Sequence, residues 1–185
     1  HYIMSIKQFN ATYLAPDDRL LFRFNTTEDT EFRFWFTRRV TLFILAATQH
    51  LTVKSLEQAH APEIAKAIAE FDKEVMQSNP ESKGVSRAEA YQPASNYPLG
   101  ADPLLVMDAK CTPEKQGLED GVSLDLVLPG GANINVKMAG PTLRALCALL
   151  NQLREHAVWG PVPLVGETST VNNEVKKEGD KPLMH

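Results

Sequence analysis

The apolar pattern of this chain runs twice. Phe9-Ala11-Tyr13, Leu20-Phe22-Phe24 and Phe32-Phe34-Phe36 alternate with other residues, and an amphipathic helix follows from about Arg38. Met107-Ala109-Cys111, Leu124-Leu126-Leu128 and Ile134-Val136-Met138 then repeat the arrangement, with a helix from about Pro141. A period of two is the mark of a half-buried strand. Each half therefore predicts an antiparallel meander of three strands covered by a helix. Neither half carries a catalytic signature, so the sequence constrains architecture far more than activity.

The first helix is expected to begin with Thr37 as N-cap and to bury Val40, Phe43, Ile44, Ala47 and Leu51. A second is expected over about Pro62 to Gln77, where Ile64, Ile68, Phe71 and Val75 recur at helical spacing behind a first-turn proline. From Ser78 to Pro103 the periodicity collapses among Pro80, Gly84, Pro93, Pro98 and Gly100. Tyr91 and Tyr97 within that stretch predict a loop pinned onto the protein. Pro129-Gly130-Gly131 reads as the second hairpin turn, and Leu143, Leu146, Cys147, Leu150 and Leu153 as the buried stripe of the last helix. The expected fold class is α+β, with duplicated βββα units and one additional helix between them. In residue ranges this means a first unit with its extra helix over 4–78, a Pro/Gly-rich linker or draped loop over 79–103, a second unit over 104–160 and a disordered tail over 161–185.

Composition removes several function classes. Net charge is −4, with a pI near 5.7, so no global basic field draws the chain to nucleic acid or anionic membrane. No stretch is long and apolar enough to span a bilayer; the run Val40 to Ala47 comes nearest but is bounded by Arg38-Arg39 and Thr48-Gln49-His50. His1-Tyr2-Ile3 ahead of Met4 reads as a cloning remnant, and the N-terminus lacks a signal-peptide pattern. Cys111 and Cys147 are expected as buried free thiols in a reducing, cytoplasmic setting.

The first hairpin matters most for what it leaves outside. If Leu20, Phe22, Phe24, Phe32, Phe34 and Phe36 share one face, Arg19, Arg23, Arg33 and Trp35 share the other, with Arg38 and Arg39 close by at the helix start. Guanidinium groups around an indole can stack bases and neutralise phosphates, and they also dominate protein hot spots. The plainer alternative pairs Arg23 and Arg33 with Asp17, Asp18, Glu28 or Glu31 and packs Trp35 beneath the second helix or the other half. With outward side chains, Arg23 and Arg33 are expected to be replaceable by Ser at little cost to stability. The second hairpin shows Ser123, Asp125, Val127, Asn135 and Lys137 outward instead. Two faces of unlike charge either divide labour or meet each other.

Enzyme signatures are missing. His50, His60 and His156 have no partner at metal-binding spacing, Gly130-Gly131 lacks the spacing and lysine of a phosphate loop, and Cys147 has no evident base. No catalytic residue, metal ligand or cofactor is assigned.

Two meanders each followed by a helix, with aromatic and basic residues on the sheet, resemble the organisation of Whirly and PUR-type single-strand-binding proteins over about residues 4–157. That resemblance implies a single-stranded nucleic-acid partner for Arg19, Arg23, Arg33, Trp35, Arg38 and Arg39. The leading expectation is a protein partner engaged by the same face, with the loop carrying Tyr91 and Tyr97 as a secondary contact. An enzyme without a recognisable motif is the third. A homodimer is the expected assembly, because a three-stranded meander leaves edges to cover.

Overall fold

A computed structural model describes residues 3–57, 60–78, 90–116 and 119–164. The chain is mixed α+β. Strands β1 (Ile3–Leu14), β2 (Arg19–Thr26) and β3 (Glu31–Phe36) precede helices α1 (Arg38–Glu57) and α2 (Pro62–Ser78). A two-residue β4 (Leu104–Leu105), then β5 (Asp108–Gln116), β6 (Glu119–Val127), β7 (Asn133–Ala139) and α3 (Gly140–His156) complete it. The three helices begin within a residue of the expected positions, whereas the apolar run from Leu104 to Cys111 is two strands rather than one, the second continuing to Gln116.

That division sets the topology. Leu104 and Leu105 run parallel to Phe34 and Trp35 of β3, giving the first half a fourth strand, whereas β5 pairs antiparallel with β6. The N–H groups of Val106 and Met107 bond in opposite directions, to Trp35 O at 3.0 Å and Val127 O at 2.8 Å. The four-stranded sheet β4-β3-β2-β1 and the three-stranded sheet β7-β6-β5 also join edge to edge, where Ile3–Ser5 lie parallel to Asn135–Lys137. Several strand edges that would otherwise invite a second chain are thus paired internally.

The inner faces of both sheets form one core. Phe22, Phe24, Phe32, Phe34, Phe36, Leu126, Leu128, Ile134, Val136 and Met138 are all buried, as their alternation predicts. The phenylalanines stack as well: Phe22 on Phe36 with ring centroids 4.8 Å apart, Phe24 on Phe32 at 5.2 Å. Stacked pairs add about 0.5–1.5 kcal/mol beyond area burial. Helix α1 begins where Thr37 Oγ1 accepts from the Val40 N–H at 3.2 Å, a cap that contributes about 0.5–2 kcal/mol. It lies against α2, α3 and β5, so Leu45, Ala46, Thr41 and Thr48 are buried in addition to Val40 and Ile44.

Three details depart from the expected burial. Among the described side chains of α2, Ala65 is the buried one, Ile68 is half-buried, Ile64 and Phe71 stand 54% and 64% exposed, and the expected Val75 lies outside the described side chains. Cys111 and Cys147 are half-buried, packed against the core and not joined in a disulfide; the Cys147 thiol donates to Thr48 Oγ1 at 3.2 Å, and burial is the largest cause pushing the Cys111 thiol up to about 12. Trp159, beyond α3, is buried and donates its indole N–H to Asp18 Oδ1 at 2.8 Å, tying the end of the second half to the first hairpin turn. The hairpin glycines Gly130 and Gly131 have φ of 84° and 87°, the left-handed backbone their positions predict. The tail expected over 161–185 falls, from residue 165 on, outside the described residues, as do residues 79–89 of the linker.

Candidate binding face

The outer face of the first sheet follows from strand register. Gln8 sits opposite Asn25 and Asn10 opposite Arg23; across the next pair Asn25 faces Glu31, Arg23 faces Arg33 and Leu21 faces Trp35. Leu105 of β4 extends the row beyond Trp35. Alternation thus places Gln8, Asn10, Thr12, Leu14, Arg19, Leu21, Arg23, Asn25, Glu31, Arg33, Trp35 and Leu105 together, on the side away from the phenylalanines.

One end of this face is covered by the chain itself. Residues 90–101 lie over Gln8, Asn25 and Glu31 as a strap. Asn25 Nδ2 donates to Gln92 O at 2.7 Å and Gln8 Oε1 accepts from the Gln92 N–H at 3.1 Å, so two side chains hold the backbone of one residue on both sides. Asn25 Oδ1 in turn accepts from the Gln8 N–H at 2.8 Å, which fixes the clamp. The Glu31 N–H donates to Asn96 O at 2.8 Å as Asn96 bridges in parallel to Thr30. Tyr97 to Gly100 then closes a turn, with Gly100 at φ 90°.

Glu31 is the electrostatic centre. Its side chain is 0% exposed, and it accepts from Arg33 Nε at 2.6 Å, from the Tyr91 hydroxyl at 2.6 Å and from the Ala94 N–H at 3.4 Å. Burial pushes the carboxyl up, but the bonds from Tyr91 and Arg33 outweigh it, and the group stays below the usual carboxylate range. The Tyr91 hydroxyl is driven far above its ordinary value, by burial first and then by Glu31, so it remains a donor. Arg33 gives its other nitrogens to Tyr97 Oη at 3.2 Å and Ala101 O at 3.3 Å.

Three guanidinium groups lie over aromatic rings: Arg23 over Tyr91 at 4.2 Å, Arg33 over Tyr97 at 4.9 Å and Arg19 over Trp35 at 4.7 Å. The first two pairs use rings from the strap, so the tyrosines that signalled a pinned loop are pinned on the arginines of the candidate face. Arg33 is paired with Glu31, one of the partners the plainer sequence alternative allowed. Arg23 instead reaches Asn10 Oδ1 at 3.3 Å.

The other end of the face is open. Leu14, Arg19, Leu21, Trp35 and Leu105 are all partly exposed, Thr12 is exposed, and none of these apolar side chains belongs to the core cluster. Arg19 has a half-exposed partner in Asp17 at 3.8 Å. The two helix-start arginines stand apart from this arrangement. Arg39 is exposed, donates to Met107 O and lies 3.9 Å from Asp108, and exposed Arg38 acts on Asp18.

Sequence reasoning passed over Gln8 and Asn25, since polar residues at outward positions read as solvated ones, and over Leu14, Leu21 and Leu105. The outward face of the second hairpin does not meet the arginines: Asn135 Nδ2 donates to Ser123 Oγ and Asp125 Oδ1, both at 2.6 Å, and Lys137 pairs with Glu114 at 2.9 Å. Among the described residues no group of three or more His, Cys, Asp or Glu side chains could hold a metal ion, and no helix is long and apolar enough to cross a membrane. No family model, curated protein or solved structure matches this chain.

Proposed function

We propose that this chain is a non-enzymatic binding module that engages a protein partner through the open end of its first sheet, with Trp35 at the centre of the contact. The observation that carries this is the division of the arginines. Arg33 is neutralised by buried Glu31 and Arg23 is covered by Tyr91, so what the open end offers is Trp35, Leu14, Leu21 and Leu105 beside a single guanidinium, Arg19. A tryptophan and an arginine on an apolar floor have the composition of a protein hot spot. A strand of phosphates needs several uncommitted cations, and a net charge of −4 adds none at long range. Single-stranded nucleic acid is the second candidate partner, favoured by the guanidinium–aromatic stacks. A duplicated origin of the two halves, a homodimeric assembly and a cytoplasmic setting belong to the same proposal.

Two measurements on the full chain test it. Titration of a labelled single-stranded oligonucleotide at two salt concentrations should show no binding at low salt; binding that weakens steeply with salt would establish the nucleic-acid partner instead. Quantitative affinity capture with wild-type and Trp35→Ala chains should show a partner protein lost with the indole. Identical capture by both chains would contradict the proposal.

A further inference from the structure

The strap is held by polar recognition, not by core packing. Only Ala94 of residues 90–101 is buried, and none belongs to the core cluster. The Gln8 and Asn25 clamp on Gln92 and the guanidinium groups over the two tyrosines are contacts that sheet side chains make to a peptide backbone or an aromatic ring, and Glu31 N–H to Asn96 O adds a backbone bond. A lid required only to shield a face would be cheapest if apolar. This one covers a buried carboxylate, whose desolvation is offset by two groups from the strap and one from the sheet. Pro93 and Pro98 bias Gln92 and Tyr97 towards extended backbone, which lowers the ordering cost of such a segment. The covered end is also continuous with the open end, sharing the β2–β3 pairs Arg23–Arg33 and Leu21–Trp35.

We propose that the outer face of the first sheet is a groove for an extended segment bearing two aromatic side chains, and that residues 90–101 occupy it in cis until a partner segment of the same chemistry displaces them. This rests on the protein-partner function above and adds the kind of partner: an extended peptide with aromatic residues spaced as Tyr91 and Tyr97 are, one ring for each of Arg23 and Arg33. Its backbone would be read by Gln8 and Asn25, and a hydroxyl or N–H group would meet Glu31. Partner binding and strap release are then the same event.

The test uses a labelled synthetic peptide of residues 90–101 and the full chain carrying Tyr91→Ala and Tyr97→Ala. The peptide should bind this variant at least tenfold more tightly than it binds wild type. A peptide with both tyrosines replaced by alanine should lose that advantage, and the complex should contain one peptide per chain. Equal binding to both chains, or equal binding of the tyrosine-free peptide, overturns the proposal. A dimer that wild type forms and the double variant does not also overturns it, in favour of strap exchange between copies. Should the double variant fail to fold, millimolar peptide added to wild type provides the second readout. Amide exchange at Ala94 and Asn96 should accelerate severalfold as the strap leaves, and unchanged exchange counts against the groove. No partner protein enters these measurements, so their failure would leave Trp35-dependent capture standing, and loss of that capture would leave the peptide result standing.

Discussion

Tyr91→Phe removes one oxygen and keeps the ring over Arg23, so it isolates the bond to Glu31. In the wild type Glu31 Oε1 has the Tyr91 hydroxyl at 2.6 Å and the Ala94 N–H at 3.4 Å; in the variant only the longer contact remains. A hydrogen bond to a charged group contributes about 1.5–3 kcal/mol, and a carboxylate as buried as this one has no water to replace it. For a domain of this size that predicts a fall in Tm of about 3–12 °C. The sign of the pH dependence follows from the direction of the Glu31 shift. A carboxyl held below its unfolded value contributes its stability above that value, about 4.3, and loses it as pH falls through the folded pKa. The deficit of Tyr91→Phe should therefore be full at pH 7 and shrink below about pH 4, as protonated Glu31 becomes a neutral acceptor. Thermal melts of both chains at pH 7 and pH 3 are the assay. A deficit under about 0.5 kcal/mol at pH 7, the range of ordinary surface substitutions, would refute the buried Tyr91–Glu31 bond.

Other substitutions sort the same face by role. Arg33→Ser strands Glu31 without its cation and should cost about 3–5 kcal/mol in denaturant melts, whereas Arg23→Ser should stay near 1 kcal/mol. Phe34→Ala empties a fully buried site and should cost about 3–5 kcal/mol by chemical denaturation. The Cys111 thiol, pushed up to about 12 chiefly by burial, should resist iodoacetamide at pH 8 in the folded chain and react once the chain is denatured. Light scattering at tens of micromolar should report a homodimer, and a monomer mass would reject that assembly.

The elements were legible because alternation and capping are local properties. Leu20 to Phe36 alternate cleanly, and Thr37 precedes its helix with a side-chain oxygen that caps it. The fourth strand was not, because Leu104-Leu105 joins β3 through contacts some 70 residues apart in the sequence, and two residues carry no period. Helix α2 shows the opposite failure. Ile64 and Phe71 have helical spacing and predict the helix correctly, yet among its described side chains Ala65 is the buried one and those two larger side chains lie outside. At the candidate face, alternation placed Arg23, Arg33 and Trp35 outward and Tyr91 and Tyr97 signalled a docked loop. That the loop docks on those arginines depended on a long-range pairing of charges and rings. Arg33 and Glu31 lie two residues apart on one side of a strand, so their pairing was available locally, whereas the clamp of Gln8 and Asn25 on Gln92 was not.

Site-specific photocrosslinking tests the central claim most directly. A photoreactive phenylalanine analogue at Leu21 or Leu105, in cells that naturally produce this chain, should crosslink to a protein, and the same analogue at exposed Arg144 of α3 should not. Crosslinks from the open end to nucleic acid, or crosslinks to the same protein from Arg144 as from Leu21 and Leu105, would contradict a protein partner seated on that face.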